Sequence, residues 1–348
     1  MLLLAHLALV AATPGASVQR YARWLVNGIG SEVVSNVAAF ARGGRFDEAG
    51  AAATTDAGLA IVTGSTGGIG REVSLGLAER GFDVVCAARD PLRGEALAAE
   101  IAARGGRASF RELHLDSPAA VREFAAAYRG RPVALLVNCG GVMGASVTTQ
   151  QTMTVNLVSP VVLTLELLPS LRAAGGGGGR VVNVGSSSHL RAASARPRGA
   201  ADAPDGGLGA YASSKLGLMQ SSLLLSALER GRGVTLHDCH PGLVWTPMLR
   251  GFLGARVATV LERTRLRRVF FREPRQGAAT VLAAATAPRQ STATPQAYFV
   301  DGRVAPRRAA SPESRSMAAA RQTWASVVAP ELARLGMRYD VDGMVEAG

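Results

Sequence analysis

The chain has 348 residues, 48% of them hydrophobic and 18% charged, with 38 basic against 26 acidic side chains and a net charge of +12. That balance excludes a disordered chain and is enough to bury one large core or two small ones. No zinc-ligand cluster, helix-turn-helix or aromatic RNA-binding signature accompanies the charge, so nucleic acid is set aside; what remains is an arginine-rich composition, with an anionic membrane surface as the second reading.

Residues 1–12 are an apolar run interrupted only by His6, too short for a comfortable membrane span. The run is similar to the apolar part of a signal peptide but has no basic region before it. Arg20 and Arg23 follow and would keep the downstream chain cytosolic if the run anchors. Residues 18–40 are semi-amphipathic and fit a membrane interface. The first 45 residues are also nearly free of acid, as in an organelle transit peptide, and a helix pair packed on the domain is the plain alternative. Residues 1–45 are therefore expected to be an anchor or a targeting peptide, and 46–57, rich in Ala, Gly and Thr, a linker.

Residues 59–62 form a continuous apolar run, as in a buried parallel strand. A glycine-rich turn follows at once. Residues 71–80 then space apolar side chains as a helix does, and Gly81 stops it. Strand, glycine turn and helix together are the setting of a pyrophosphate site. The glycines let backbone approach the ligand, and the helix start offers free N–H groups and partial positive charge. The glycines are Gly64, Gly68 and Gly70, a Gly-x-x-x-Gly-x-Gly spacing. Placement, more than glycine content, makes this a dinucleotide site.

Further strands are expected at 82–88, 109–115, 133–137, 180–184, 234–239 and 298–300. Helices are expected at 91–103, 118–128 with Ser117 as N-cap, 152–171 with a kink at Pro160, and 211–230. Strands alternate with helices throughout. The fold class is α/β: a Rossmann-type, doubly wound parallel sheet in a single domain. Cys86, Cys139 and Cys239 sit in or beside apolar strands and read as buried thiols. His6, His114, His189 and His237 have no mutual spacing of a metal site, and His240 reads as structural.

In such sheets ligands lie beyond the carboxyl ends of the strands. Four polar clusters fall there: residues 63–70, Asn138, Ser186 and His240-Pro-Gly242. Tyr211 and Lys215 add a Tyr-x-x-x-Lys pair on one helix face, one turn apart. A phenol is a poor base at its reference pKa of about 10, and a neighbouring ammonium stabilises the phenolate. The pair can exchange a proton with an alcohol or carbonyl near neutrality, and Ser186 can donate a hydrogen bond to the same oxygen. At the end of the second strand an acid would hold ribose hydroxyls, but the chain has Ala88 and then Arg89. A guanidinium there suits a 2′-phosphate, so NADP(H) is favoured over NAD(H).

Joined together, Thr63-Gly-Ser-Thr-Gly-Gly-Ile-Gly70, Asn138-Cys-Gly140, Asn156 in Thr-Val-Asn-Leu, Val182-Asn-Val-Gly-Ser186, Tyr211-Ala-Ser-Ser-Lys215 and His240-Pro-Gly-Leu-Val-Trp-Thr246 resemble the short-chain dehydrogenase/reductase family. The resemblance runs from 58 to 302. Ser186-Ser-Ser-His189, Ser214-Lys-Leu216, Glu273-Pro-Arg-Gln-Gly-Ala278 and Tyr298-Phe-Val-Asp301 are similar to its retinol-dehydrogenase-like branch, which includes a polyprenol-linked member. The resemblance implies that Tyr211 is the general acid/base. Lys215 would lower its pKa and hold the ribose, Ser186 would orient substrate, and Asn156 would support a proton-relay water. Ser187 and Ser188 are alternatives to Ser186, which stands three residues after Asn183 as the family pattern asks.

The implied cofactor contacts are Thr63, Gly64, Ser65, Thr66, Gly68, Ile69, Gly70, Arg89, Leu115, Asn138, Gly140, Tyr211, Lys215, Pro241, Gly242, Val244 and Thr246, with no metal. Departures are Cys139 in place of the usual alanine, short segments before Asn156 and between Ser186 and Tyr211, and His114-Leu115 where the branch has Asp-Leu. Whether His114 or Asp116 contacts adenine stays open. The implied activity is NADP(H)-dependent interconversion of a hydrophobic alcohol with its aldehyde or ketone. Polyprenol-type or steroid substrates, or an idle NADP(H)-binding scaffold, are the alternatives. Residues 247–275 are expected as a substrate lid containing a basic amphipathic helix that could rest on a bilayer, and 303–348 as a C-terminal extension. A homodimer is a further expected assembly. The expected location is the endoplasmic reticulum or a lipid droplet with a cytosolic catalytic domain; an organelle or secretion is the alternative.

Overall fold

The computed structural model describes residues 36, 57–144, 146–176, 178–195, 207–263, 266–288, 296–339 and 341. The expectations for 1–45 and 46–57 therefore lie outside the described residues, except at Asn36 and Ala57.

β1 (Leu59–Thr63) is buried over its last four residues, as its unbroken apolar sequence demands. It leads through the glycine turn into α1 (Gly68–Ala78). β2 (Asp83–Ala88), α2 (Pro91–Ala103), β3 (Arg107–Glu112) and α3 (Pro118–Ala126) follow. Asp90 and Ser117 cap α2 and α3 with their side chains, and a proline begins each helix, where a missing N–H does no harm. β4 (Leu135–Asn138), the long α4 (Thr149–Arg172) and β5 (Arg180–Val184) complete the next units. A 3₁₀ turn (Ser187–Arg191) and α5 (Leu208–Leu228) then lead to β6 (Thr235–His240).

After β6 the described residues form three short helices, α6 (Pro247–Leu253), α7 (Ala255–Arg263) and α8 (Leu266–Phe270), then α9 (Pro274–Thr286), β7 (Gln296–Val300) and β8 (Arg303–Val304). The last described elements are α10 (Met317–Thr323), a π-turn and α11 (Ala329–Arg334).

The described strands form one eight-stranded sheet in the order β3-β2-β1-β4-β5-β6-β7-β8. β1 to β7 pair in parallel, with Val62 opposite Cys86 and Val137, and only β8 runs antiparallel. Chain direction across the sheet reverses between β1 and β4, so a crevice opens beyond their carboxyl ends. One face packs on α3, α4 and α5 through Leu157, Leu163, Leu168 and Leu224. The other packs on α1, α2 and α9 through Val73, Leu77, Ile101 and Val281. Each fully buried side chain of this kind stabilises the fold by roughly 1.5–3 kcal/mol. Trp324, Val328 and Leu332 from the C-terminal helices join the first core, so this stretch is built into the domain.

Two expectations need correction. The third strand ends at Glu112, not 115. It is the edge strand, its side chains are half or fully exposed, and it carries Arg107, Arg111 and Glu112, so no buried apolar run marks its end. The helix around Pro160 is not simply kinked at the proline. Thr154–Val158 widen into a π-turn just before it, which accommodates a ring that would otherwise strike the preceding turn. The stretch expected to contain a basic amphipathic helix is divided into short helices. Gly254, at φ 79, ends α6 and divides it from α7. By length and apolarity α4 could cross a bilayer, but most of it is buried in this domain's core.

Candidate active site

The glycine turn is tight enough that its glycines are obligatory. A Cβ on Gly64 would lie 2.7 Å from Gly140 Cα, and one on Gly70 would lie 2.3 Å from the Gly64 carbonyl oxygen. Thr63 Oγ1 accepts hydrogen bonds from the N–H groups of Cys139 (3.1 Å) and Gly140 (3.0 Å), which ties the end of β1 to the end of β4. Among the described residues α1 has no side-chain N-cap and no acid in its first turn. Its leading N–H groups thus face the crevice without a competing anion. Ser65 Oγ is buried with no hydrogen-bond partner among the described residues. A backbone cradle, an open helix start and an orphaned hydroxyl fit a dinucleotide pyrophosphate.

Thr66 and Ile69 are half-buried on the same turn. Arg89 is exposed just beyond β2. One turn on, Arg93 reaches back, and its Nη2 donates to the Thr66 carbonyl at 2.8 Å. The sequence reading missed Arg93; the signal was its i+4 spacing from Arg89 at the start of a helix. Asp90 between them caps α2, accepting from Arg93 N at 3.1 Å, and so does not take the place of a ribose-binding acid. Leu115 is buried against Gly140, and its carbonyl accepts from Ser159 Oγ at 2.6 Å. His114 and Asp116 belong to one exposed group, with His114 Nε2 2.8 Å from Glu112 and Nδ1 3.8 Å from Asp116.

Asn156 sits in the π-turn and clamps the loop after β4 from both sides. Its Oδ1 accepts from Val142 N at 2.8 Å, and its Nδ2 donates to Val142 O at 2.9 Å and to Ser214 Oγ at 3.1 Å. Ser214 Oγ in turn donates to the Tyr211 carbonyl at 2.8 Å. Lys215 is buried, its Nζ donates to Val184 O at 2.8 Å, and it lies 5.7 Å from the centre of the Tyr211 ring. Burial pushes the Lys215 ammonium down to about 8. Ser186 stands just past β5; its Oγ lies 3.2 Å from Ser188 Oγ and accepts from Ser188 N at 3.2 Å. Ser187 N donates to His240 Nδ1 at 3.3 Å. Tyr211 clusters with Leu190 and Leu208, and Phe252 of α6 and Met143 pack against them. α6 therefore packs on the tyrosine's cluster.

The segment 241–246 packs against the glycine turn through Thr246 and against α9 through Val244. Thr246 caps α6, accepting from Leu249 N at 3.3 Å, and its methyl carbon would meet a Cβ on Gly68 at 3.0 Å. Pro241 and Val244 are buried, and Gly242 takes φ 86. Thus Thr63 to Gly70, Leu115, Asn138 to Gly140, Asn156, Ser186, Tyr211, Lys215 and Pro241 to Thr246 all gather at the carboxyl edge of the sheet. A cavity of about 330 Å³ opens on the β7 side of that segment, lined by Ser187, Leu190, His240, Gly242, Tyr298 and Arg308; Tyr211 does not line it.

Beneath the site runs a buried polar relay that the sequence reading did not foresee. Asn138 Nδ2 donates to Asn183 Oδ1 (2.8 Å), Asn183 Nδ2 to Ser222 Oγ (2.7 Å), and Ser222 Oγ to Asp238 Oδ1 (2.8 Å). Gln296 Nε2 donates to Asp238 Oδ2 at 2.6 Å. Burial raises the Asp238 carboxyl to about 7. Cys86 and Cys239 are buried thiols, with Cys86 pushed up to about 11 by burial. Among the described residues no group of three His, Cys, Asp or Glu could hold a metal ion.

A glycine cradle at the sheet's switch point, beside a buried tyrosine and lysine, defines a dinucleotide-dependent oxidoreductase. A family model described as short chain dehydrogenase matches residues 58–254. Polyprenol dehydrogenase of Mus musculus is 38% identical over 252 residues, covering 66% of this chain and 72% of that one. Retinol dehydrogenase 12 of Homo sapiens is 29% identical over 300 residues, covering 81% and 87%. A solved short chain dehydrogenase from Burkholderia cenocepacia in complex with NADP superposes with a TM-score of 0.55 at 27% identity, over 71% of this chain and 98% of that one. The chain belongs to the short-chain dehydrogenase family. It is an oxidoreductase acting on CH–OH groups, in the retinol-dehydrogenase-like branch.

Proposed function

We propose that the protein is an NADP(H)-dependent oxidoreductase that interconverts a hydrophobic alcohol with its aldehyde or ketone. The observation that supports this is the Tyr211/Lys215 pair, with Phe252 packed on the tyrosine's cluster and Lys215 Nζ holding Val184 O, two residues before Ser186. The dinucleotide, when bound, exchanges a hydride with the carbinol carbon. Tyr211 takes the proton from the substrate hydroxyl, or gives it to the carbonyl oxygen in the reverse direction. The Lys215 ammonium, steered by Val184 O, stabilises the phenolate that forms. Ser186 Oγ donates to the same substrate oxygen. Asn156 holds the Val142 loop and, through Ser214, the start of the tyrosine's helix in register, and so supports the proton relay.

Arg89 and Arg93 favour NADP(H), because two guanidinium groups flank the place where an acid would select NAD(H). A hydrophobic substrate follows from Leu190, Leu208, Met143 and Phe252 around the tyrosine and from the polyprenol and retinol dehydrogenases among the relatives. Location at an intracellular membrane is part of the reading. It rests on the apolar residues 1–12 and on exposed Val257, Val260 and Phe270 among the lid's arginines. The test is nicotinamide absorbance with purified protein against prenols, retinoids, steroids and lipid aldehydes. Turnover of a member of this panel with NADP(H) is expected; cofactor binding with no turnover of any member would favour the idle scaffold.

A further inference from the structure

Arg272 has almost no exposed surface, although it lies between two surface helices, α8 and α9. Its side chain joins three otherwise separate pieces of chain. Nε donates to Asn36 Oδ1 at 2.9 Å, Nη1 donates to the Pro241 carbonyl at 3.2 Å, and Nη2 pairs with the Asp301 carboxylate. Its backbone also holds the loop: Arg272 N donates to Leu243 O at 2.7 Å and Trp245 N donates to Arg272 O at 2.8 Å. Asn36 completes the ring by donating from Nδ2 to the Phe270 carbonyl at 2.7 Å. The surrounding backbone is shaped to admit this side chain. A Cβ on Gly242 would lie 2.7 Å from the guanidinium carbon, and Asp301 is the described non-glycine residue with positive φ, at 52°.

A buried arginine pair is weak evidence of stability, since apolar side chains of the same volume often serve as well. Its distinctive property is direction. The guanidinium has a fixed fork and can satisfy Asn36, Pro241 and Asp301 only if all three stand in one arrangement. That arrangement fixes one end of the 241–246 segment, whose other end, Thr246, lies against Gly68 of the dinucleotide turn.

We propose that Asn36, Arg272 and Asp301 form a clasp that sets the closed position of the 241–246 segment and the lid, and that Asn36 and Arg272 are positioning residues for the cofactor. The proposal rests on the reading of this crevice as the NADP(H) site. It also changes the standing of the N-terminal segment. Asn36 belongs to the catalytic unit, so a targeting peptide removed at any point beyond Asn36 would take part of the clasp with it.

The experiment uses the full chain carrying Asn36→Leu, Asn36→Asp or Arg272→Lys. Two quantities are read: the Kd for NADPH by fluorescence titration, and the rate of trypsin cleavage at the lid arginines Arg250, Arg263 and Arg268, by mass spectrometry. Asn36→Leu and Arg272→Lys are expected to raise the Kd about tenfold. Both should speed cleavage at those lid sites and abolish the protection that NADPH gives them, with sites elsewhere unchanged. Asn36→Asp keeps the acceptor for Arg272 and should recover most of the NADPH affinity. Kd and lid cleavage both within twofold of wild type in Asn36→Leu and Arg272→Lys would overturn the clasp, as would cleavage accelerated equally over the whole chain. A wild-type chain that does not bind NADPH would overturn the cofactor reading instead, and the clasp would then stand or fall on the cleavage pattern alone.

Discussion

Reversing the charge at Arg89 and Arg93 should move cofactor preference from NADP(H) towards NAD(H). A charge-assisted hydrogen bond to phosphate is worth roughly 1.5–3 kcal/mol, and about 1.4 kcal/mol is a factor of ten. Arg89 is exposed and must give up side-chain freedom to bind, so the lower end applies and Arg89→Asp alone should shift the preference about tenfold. Arg93 is already held on the Thr66 carbonyl at 2.8 Å, so less freedom remains to be lost. The double variant should therefore shift the ratio by about a hundredfold or more, with repulsion from the new carboxylates adding to the loss. The assay is kcat/KM with NADPH and with NADH on one substrate. The loss should fall on NADPH and be carried mainly by KM. A ratio that stays within twofold of wild type in the double variant would refute the role of both arginines, while loss with both cofactors alike would mean that the turn itself had been disturbed.

Asp238 has a folded-state pKa raised to about 7 from 3.8, so the folded chain keeps a proton that the unfolded chain releases from about pH 4 upward. Stability from this group is full below about pH 4 and is lost as pH rises through 7, by on the order of a few kcal/mol. Asp238→Asn should flatten Tm against pH between 4.5 and 8, and parallel curves for the two proteins would contradict the assignment. Arg263 and Arg268 are exposed on the lid. Replacing both with Gln should weaken binding to anionic liposomes, most at low salt, and raise KM for a bilayer-embedded substrate but not for a soluble aldehyde. Unchanged liposome binding would leave these helices as a lid alone.

What the sequence made legible is local. The turn at 63–70 and the Tyr211/Lys215 pair follow from spacings of a few residues, and each lies within or beside an element whose periodicity is plain. The edge strand β3 was misplaced because its exposed, charged residues carry no burial pattern. The break that Gly254 makes in the 247–275 stretch is hidden in the sequence by the apolar and basic residues on both sides of it. The clasp and the buried relay were not readable at all. Asn36 and Arg272 are 236 residues apart, and Asn138, Asn183, Ser222 and Asp238 come from four elements that only the sheet order brings together. Nothing in the residues near Asp238 announces that its carboxylate is buried, and nothing near Arg272 announces its three partners.

In the proposed reaction Tyr211 carries the proton while the crevice beside it binds NADP(H). The most direct measurement compares wild type with Tyr211→Phe, recording NADPH affinity and turnover of the best substrate from the panel on the same preparations. The phenyl ring keeps its packing against Leu190, Leu208 and Phe252 and loses only the hydroxyl. The NADPH Kd should stay within about twofold of wild type while turnover falls at least a thousandfold, on the order of the general acid/base contribution. Turnover within a few-fold of wild type, with NADPH still bound, would contradict it.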